Sequence, residues 1–145
     1  MHERAWLLLP AVLYLLVSSE AFAVEPPKSS DQRVRDYVSA FNNREIETML
    51  SMVTDDIQWL TVAGDKILVE TQGKAQLREG MASYFQSTPG ARSELQWVQA
   101  SESRVAALER ATWQGKSGPK SQASLCIYEF SDGLITRVYY FPVEK

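Results

Sequence analysis

Histidine and cysteine are almost missing from this chain of 145 residues, which holds one of each, His2 and Cys126. A single cysteine excludes an internal disulfide. With the one histidine at position 2, residues 24–145 contain no imidazole. That removes a Ser-His-Asp or Cys-His nucleophilic site and any His-containing zinc or iron centre from consideration there. A long apolar run is also missing: the longest, residues 7–17, falls well short of the roughly 20 residues that cross a bilayer. Neither sign of charge forms a stripe, so the electrostatic footprint of a nucleic-acid binder is absent. A Gly-rich phosphate loop, an internal repeat and a low-complexity segment are absent too, and neither a metal nor another cofactor is expected.

What is present begins with an export signal. Residues 1–6 carry Arg4, Glu3 and the terminal amine; residues 7–17 are apolar; Ala21-Phe22-Ala23 is the small-x-small pattern that a signal peptidase cuts. Residues 1–23 therefore read as a secretory signal peptide, leaving a periplasmic or secreted protein with no stable membrane span. Removing Arg4, Glu3 and Glu20 from 15 basic and 18 acidic residues leaves 14 and 16, a net charge of −2. Residues 24–30, with Pro and Ser, form a flexible lead-in, and residues 31–145 form one domain large enough to be stable on its core without a disulfide.

Within that domain Val34, Tyr37, Val38 and Phe41 recur at helical spacing, with Ser30 or Asp31 as N-cap and Asn42-Asn43 as a left-handed stop. Ile46, Met49, Leu50 and Val53 predict a second, shorter helix. Asp55-Asp56 hands over to a strand at 57–62, and Ala63-Gly64-Asp65 turns into a short strand at 66–70. Leu77, Met81, Tyr84 and Phe85 mark a third helix after Gly73, closed by Pro89-Gly90. Alternation then predicts long strands at 93–100, 104–113, 122–130 and 134–141. Ser131-Asp132-Gly133 is a tight hairpin turn, and residues 115–120 make a looser one.

This order resembles the SnoaL-like branch of the nuclear-transport-factor-2 superfamily. The resemblance is carried by Tyr37-Val38-Ser39-Ala40-Phe41-Asn42, Asp55-Asp56-Ile57-Gln58-Trp59, Gly73-Lys74-Ala75-Gln76-Leu77-Arg78-Glu79 and Val138-Tyr139-Tyr140-Phe141. It implies an α+β cone, three N-terminal helices packed on a strongly curved, mostly antiparallel sheet, with an apolar pocket inside. The superfamily includes ketosteroid isomerases, polyketide cyclases, dehydratases, epoxide hydrolases and non-catalytic members, so the fold does not choose a function. Compared with ketosteroid isomerase, the oxyanion-donating tyrosine falls on Tyr37. The general-base aspartate falls on Thr61, which does not take a proton near neutral pH, and the second oxyanion donor falls on Cys126, a weak donor. Steroid isomerisation by that mechanism is not expected.

The same comparison phases the strands. Val105, Ala107, Glu109, Ala111 and Trp113 are expected on the concave face, with Cys126, Tyr128, Tyr139 and Phe141 on the neighbouring strands. Tyr37, Phe41, Met81 and Phe85 look in from the helices, and Trp59 and Thr61 complete the wall. Glu109 stands out: a carboxylate on an apolar face is costly to bury unless paired or protonated. It is the candidate acid/base or ligand-orienting group, with Tyr37 beside it; the competing reading is a structural carboxylate satisfied by its neighbours. The aromatics likewise read as pocket lining or as plain core.

Asp55-Asp56 reads as a corner rather than a carboxylate pair, Glu70 as a helix cap rather than a pocket-mouth group, Cys126 as an inert thiol, and Trp97, alternating with Leu95, as packing. Leu108, Leu125, Ile127, Val138 and Tyr140 are expected on the outer sheet face, an apolar patch suited to a symmetric homodimer. Three roles follow: a module that binds a small apolar molecule, a cofactor-independent isomerase, cyclase or dehydratase using Glu109 and Tyr37, or an interaction protein acting through the sheet face. The export signal is checked directly. Protein recovered from outside the host cytoplasm should begin at Val24 by N-terminal sequencing, and Met1 on that protein would exclude cleavage.

Overall fold

The computed structural model describes residues 25–142, so the expected signal peptide lies outside the described residues. The elements run α1 (Ser30–Asn42), α2 (Ile46–Ser51), β1 (Val53–Ala63), β2 (Lys66–Gln72), α3 (Gly73–Ser87), β3 (Arg92–Ser101), β4 (Arg104–Gly115), β5 (Gly118–Ser131) and β6 (Leu134–Phe141). The strands form one sheet in the order β2-β1-β6-β5-β4-β3. Only β1 and β6 run parallel; every other neighbouring pair is antiparallel. This is the α+β cone that the sequence implies.

The helices cover one face because each carries one apolar stripe. Val34, Tyr37 and Val38 of α1, Met49 and Leu50 of α2, and Leu77 of α3 are buried. All of these but Val38 join one core with Val53 and Ile57 of β1, Val105 and Ala107 of β4, Tyr128 of β5, and Ile135 and Val138 of β6. α1 lies over β3 and β4, while α3 lies over β1.

The stop of α1 differs in detail from expectation. Asn43 stays right-handed (φ −89°) and Arg44 is the left-handed residue (φ 64°). The Glu45 N–H reaches the Ala40 carbonyl at 2.9 Å and the Arg44 N–H reaches Phe41 at 3.0 Å, which is a Schellman closure. The Arg44 guanidinium sits 4.5 Å from the Phe85 ring centroid, an attraction that offsets some of the backbone strain. The N-cap is Ser29, one residue earlier than expected. The β5–β6 hairpin turns on Asp132 (φ 50°) and Gly133 (φ 77°), the doubly left-handed geometry that matches strand twist. The β4–β5 connection is tighter than expected, because pairing continues to Gly115 opposite Gly118.

Two pairing details reset which residues face inward. Cys126 lies opposite Tyr140, and Tyr128 opposite Val138. Directly opposed antiparallel residues share a face, so Tyr140 and Val138 point in, while Tyr139 and Phe141, opposite Ile127 and Leu125, point out. The expected phase of β6 is therefore reversed. On β3 a bulge between Leu95 and Trp97 places Trp97 opposite Leu108. Trp97 is 49% exposed on the outer face rather than packed.

Leu77, 1% exposed, is the one fully buried side chain of α3. Leu77→Ala should lower stability by about 2–5 kcal/mol in urea unfolding, and a loss below about 1 kcal/mol would mean that another contact anchors the helix.

Candidate functional site

Between the helices and the sheet lies a cavity of about 220 Å³. Seven of the residues expected in its wall are there: Tyr37, Phe41, Trp59, Met81, Glu109, Ala111 and Tyr128. Six are not. Thr61 lies opposite Tyr140 across the β1–β6 pair but outside the lining. Phe85 packs behind Phe41, with ring centroids 5.2 Å apart. Trp113 lines an adjoining hollow with Tyr84, Ala111 and Tyr140. Cys126 is fully buried outside the lining, and Tyr139 and Phe141 face outward for the pairing reason above.

Val38, Met49, Tyr84, Ser93 and Tyr140 also line the cavity. Tyr84 follows Met81 by one helical turn, so its position was available from periodicity. Ser93 required knowledge that β3 pairs with β4, where Ser93 lies opposite Ala111.

Glu109 is the polar centre. Its Oε1 accepts from the Ser93 hydroxyl, and its Oε2 accepts from Tyr128 Oη at 3.0 Å and from Cys126 Sγ at 3.5 Å. The partners come from β3 and from β5, the strands flanking β4. An ionised carboxylate offers about four lone-pair directions, so these three donors leave one, on Oε1. Ser93 is itself fixed by Asn42 at the end of α1. Asn42 Nδ2 donates to the Ser93 carbonyl and the Ser93 N–H donates to Asn42 Oδ1, both at 2.8 Å. This paired contact ties the helix to the edge strand and holds Ser93 on the inner face beside Glu109.

Tyr37, beside which the sequence placed Glu109, makes no hydrogen bond to it. Its hydroxyl is buried without a partner, and its ring stands 6.4 Å from that of Trp59. Tyr37 and Glu109 thus both stand in the wall of the cavity, one with an enclosed hydroxyl that has no partner and the other with one acceptor position left. Burial, reinforced by the charge of Glu109, raises the hydroxyls of Tyr37 and Tyr128 and the thiol of Cys126 well above their ordinary values. Burial thus favours the neutral thiol at Cys126. Burial pushes Tyr140 up to about 12. Tyr84 is raised by burial, with Arg44 opposing.

The weaker candidates fall outside the site. Asp55 and Asp56 are exposed within β1 rather than at a corner before it, and Lys74 Nζ lies 3.1 Å from Asp55. Glu70 is exposed on β2 and neither lines the cavity nor caps α3, whose N-cap is Gln72. Among the described residues no group of three His, Cys, Asp or Glu side chains comes together to hold a metal.

The sequence model of the SnoaL-like domain matches residues 34–138. No protein of curated function matches the sequence. Among solved structures, an uncharacterized cystatin-fold protein from Novosphingobium aromaticivorans superposes with a TM-score of 0.68 at 22% identity, over 78% of this chain and 97% of that one. TerC, co-crystallized with polyporic acid, gives 0.66 at 19% identity over 79% and 92%. An LEH-like epoxide hydrolase of M. tuberculosis gives 0.65 at 16% identity over 79% and 82%. At such identities these likenesses concern the fold alone.

The tyrosines make stability depend on alkaline pH. For Tyr140 the folded chain binds its proton more tightly than the unfolded chain, whose value is the ordinary 10.0. Stability is then complete below pH 10 and declines as pH rises toward about 12. Urea unfolding between about pH 9 and pH 11 should show this decline, and Tyr140→Phe should lessen it without removing the share of Tyr37 and Tyr128; a stability independent of pH would contradict the buried hydroxyls.

Proposed function

We propose that this chain, which belongs to the SnoaL-like domain family, binds a small, largely apolar molecule in its cone and orients it by a single polar group. The observation that carries this reading is the pairing of an unpartnered, buried Tyr37 hydroxyl with a Glu109 carboxylate that has one acceptor position left, in a wall otherwise built from aromatic rings, Met49, Met81, Val38, Ala111 and the Ser93 hydroxyl. A hydroxyl on the ligand both donates to Glu109 and accepts from Tyr37. A phenol or an enol has this character. The apolar remainder displaces water from the rings, which supplies most of the affinity.

The second reading is an enzyme without a cofactor. Glu109 takes a proton from carbon next to a ligand carbonyl, and Tyr37 donates a hydrogen bond to the enolate oxygen that forms. Its support is the same pair of groups. The three donors already on Glu109 weigh against it, because they occupy all but one of its acceptor positions. The sequence supports export of the protein, and the outer sheet face, where Trp97, Leu108 and Leu125 are 49%, 36% and 42% exposed, supports a homodimer or a partner protein there.

Binding of 2-naphthol, followed by calorimetry, tests the first reading. Glu109→Gln should weaken it by about 1–3 kcal/mol, and Ala111→Phe, which fills the cavity, should abolish it while leaving the fold intact. Equal binding by wild type and Ala111→Phe would refute the cavity as the site. Deuterium exchange at the α-carbon of 2-tetralone tests the second: acceleration by the wild type that Glu109→Gln removes would make the protein an enzyme, and no acceleration leaves a binding module. Native mass spectrometry of protein from its own host would identify a retained ligand.

A further inference from the structure

The edge strand β2 exposes an apolar ribbon. Ile67, Leu68 and Val69 are 59%, 49% and 57% exposed, on a strand whose one neighbour in the sheet is β1. Successive residues point to opposite faces, so both faces are apolar, and the outer rim presents unpaired backbone N–H and C=O groups. The other edge, β3, instead carries Arg92, Glu94, Gln96 and Gln99. Lys66 and Glu70 bound the apolar triplet. Both are exposed, and among the described residues neither joins an ion pair.

We propose that β2 pairs antiparallel with β2 of a second copy of this chain, about a two-fold axis through Leu68. The run Lys66-Ile67-Leu68-Val69-Glu70 is its own complement when reversed. In that register Lys66 faces the partner's Glu70, Leu68 faces the partner's Leu68, and Ile67 faces the partner's Val69. One face of the joined ribbon is then a leucine pair between two Lys–Glu pairs; the other holds two isoleucine–valine pairs.

The backbone agrees with this axis. The β1–β2 hairpin closes at Ala63 opposite Lys66 with two residues between them. The closing pair of such a hairpin is hydrogen-bonded, and bonding alternates along the ladder. Lys66 and Leu68 therefore turn their peptide groups toward β1, while Ile67 and Val69 turn theirs outward. With the axis at Leu68, Ile67 and the partner's Val69 exchange both backbone hydrogen bonds, twice in the pair. An axis at Ile67 would set Lys66 against the partner's Leu68, and an axis at Val69 would set Glu70 against it, losing the charge match in both cases. The contact is isologous, so it closes at two copies, and it uses neither the cavity nor the outer sheet face. One strand per copy is a small interface, so association depends on concentration.

Sedimentation equilibrium of the full chain up to about 1 mM tests the proposal. The wild type should self-associate. Lys66→Glu and Glu70→Lys each turn both ion pairs into like-charged pairs and should each weaken association at least about tenfold. Mixing the two variants in equal amounts should restore it, because their reversed charges are complementary, and that recovery also shows that both variants fold. A monomeric wild type, association indifferent to either reversal, or a mixture no better than its parts would each overturn the proposal. Leu125→Lys is the control for the outer face: association that it abolishes and the reversals spare belongs to that face and overturns the edge pairing.

Discussion

A carboxylate inside an apolar cone must be satisfied, and much of this site follows from how Glu109 meets that requirement. Its donors come from the two strands that flank β4, so the sheet must bring Ser93, Cys126 and Tyr128 to one side of Glu109 at once. Leaving a half-buried carboxylate on an apolar face without such partners would be costly. The Asn42 contact to Ser93 extends the requirement to α1. Helix placement, strand pairing and the polar centre of the cavity are thereby one coupled arrangement rather than three.

The same arrangement explains why the centre is open. Ala111 follows Glu109 on the inner face of β4, and the bulky residues stand around it: Tyr128 beside, Trp59 across the sheet, Phe41 and Met81 above. Small residues next to an anchored carboxylate leave a void that the surrounding rings border without filling. Tyr37, in the wall of that void, has an enclosed and unpartnered hydroxyl, a group whose burial is costly unless something binds it. This is the physical reason for assigning a ligand to the cavity rather than regarding it as imperfect packing.

Much of this was legible in the sequence. Period 3.6 in Val34, Tyr37, Val38 and Phe41 and period 2 in Val105, Ala107, Glu109 and Ala111 determine which sides of α1 and β4 are buried. The inward position of Glu109 follows from that alternation once the resemblance to ketosteroid isomerase supplies its phase. Trp97 and the pair Tyr139 and Phe141 were misplaced because a bulge on β3 and the pairing of β6 with β5 reset the phase, and neither leaves a mark in the local sequence. Arg44 takes the left-handed position expected of an asparagine, and Phe85, distant in sequence, lies under its guanidinium.

By itself, then, the sequence determined the order of elements, the family resemblance and the central carboxylate, since these rest on local periodicity and residue chemistry. Only the tertiary structure decided that Ser93, Tyr128 and Cys126 satisfy Glu109, that Tyr37 stays unpartnered and that Tyr140 rather than Tyr139 faces the cavity. Hydrogen bonds between strands depend on register, and register is a relation between distant segments that no single stretch of sequence encodes.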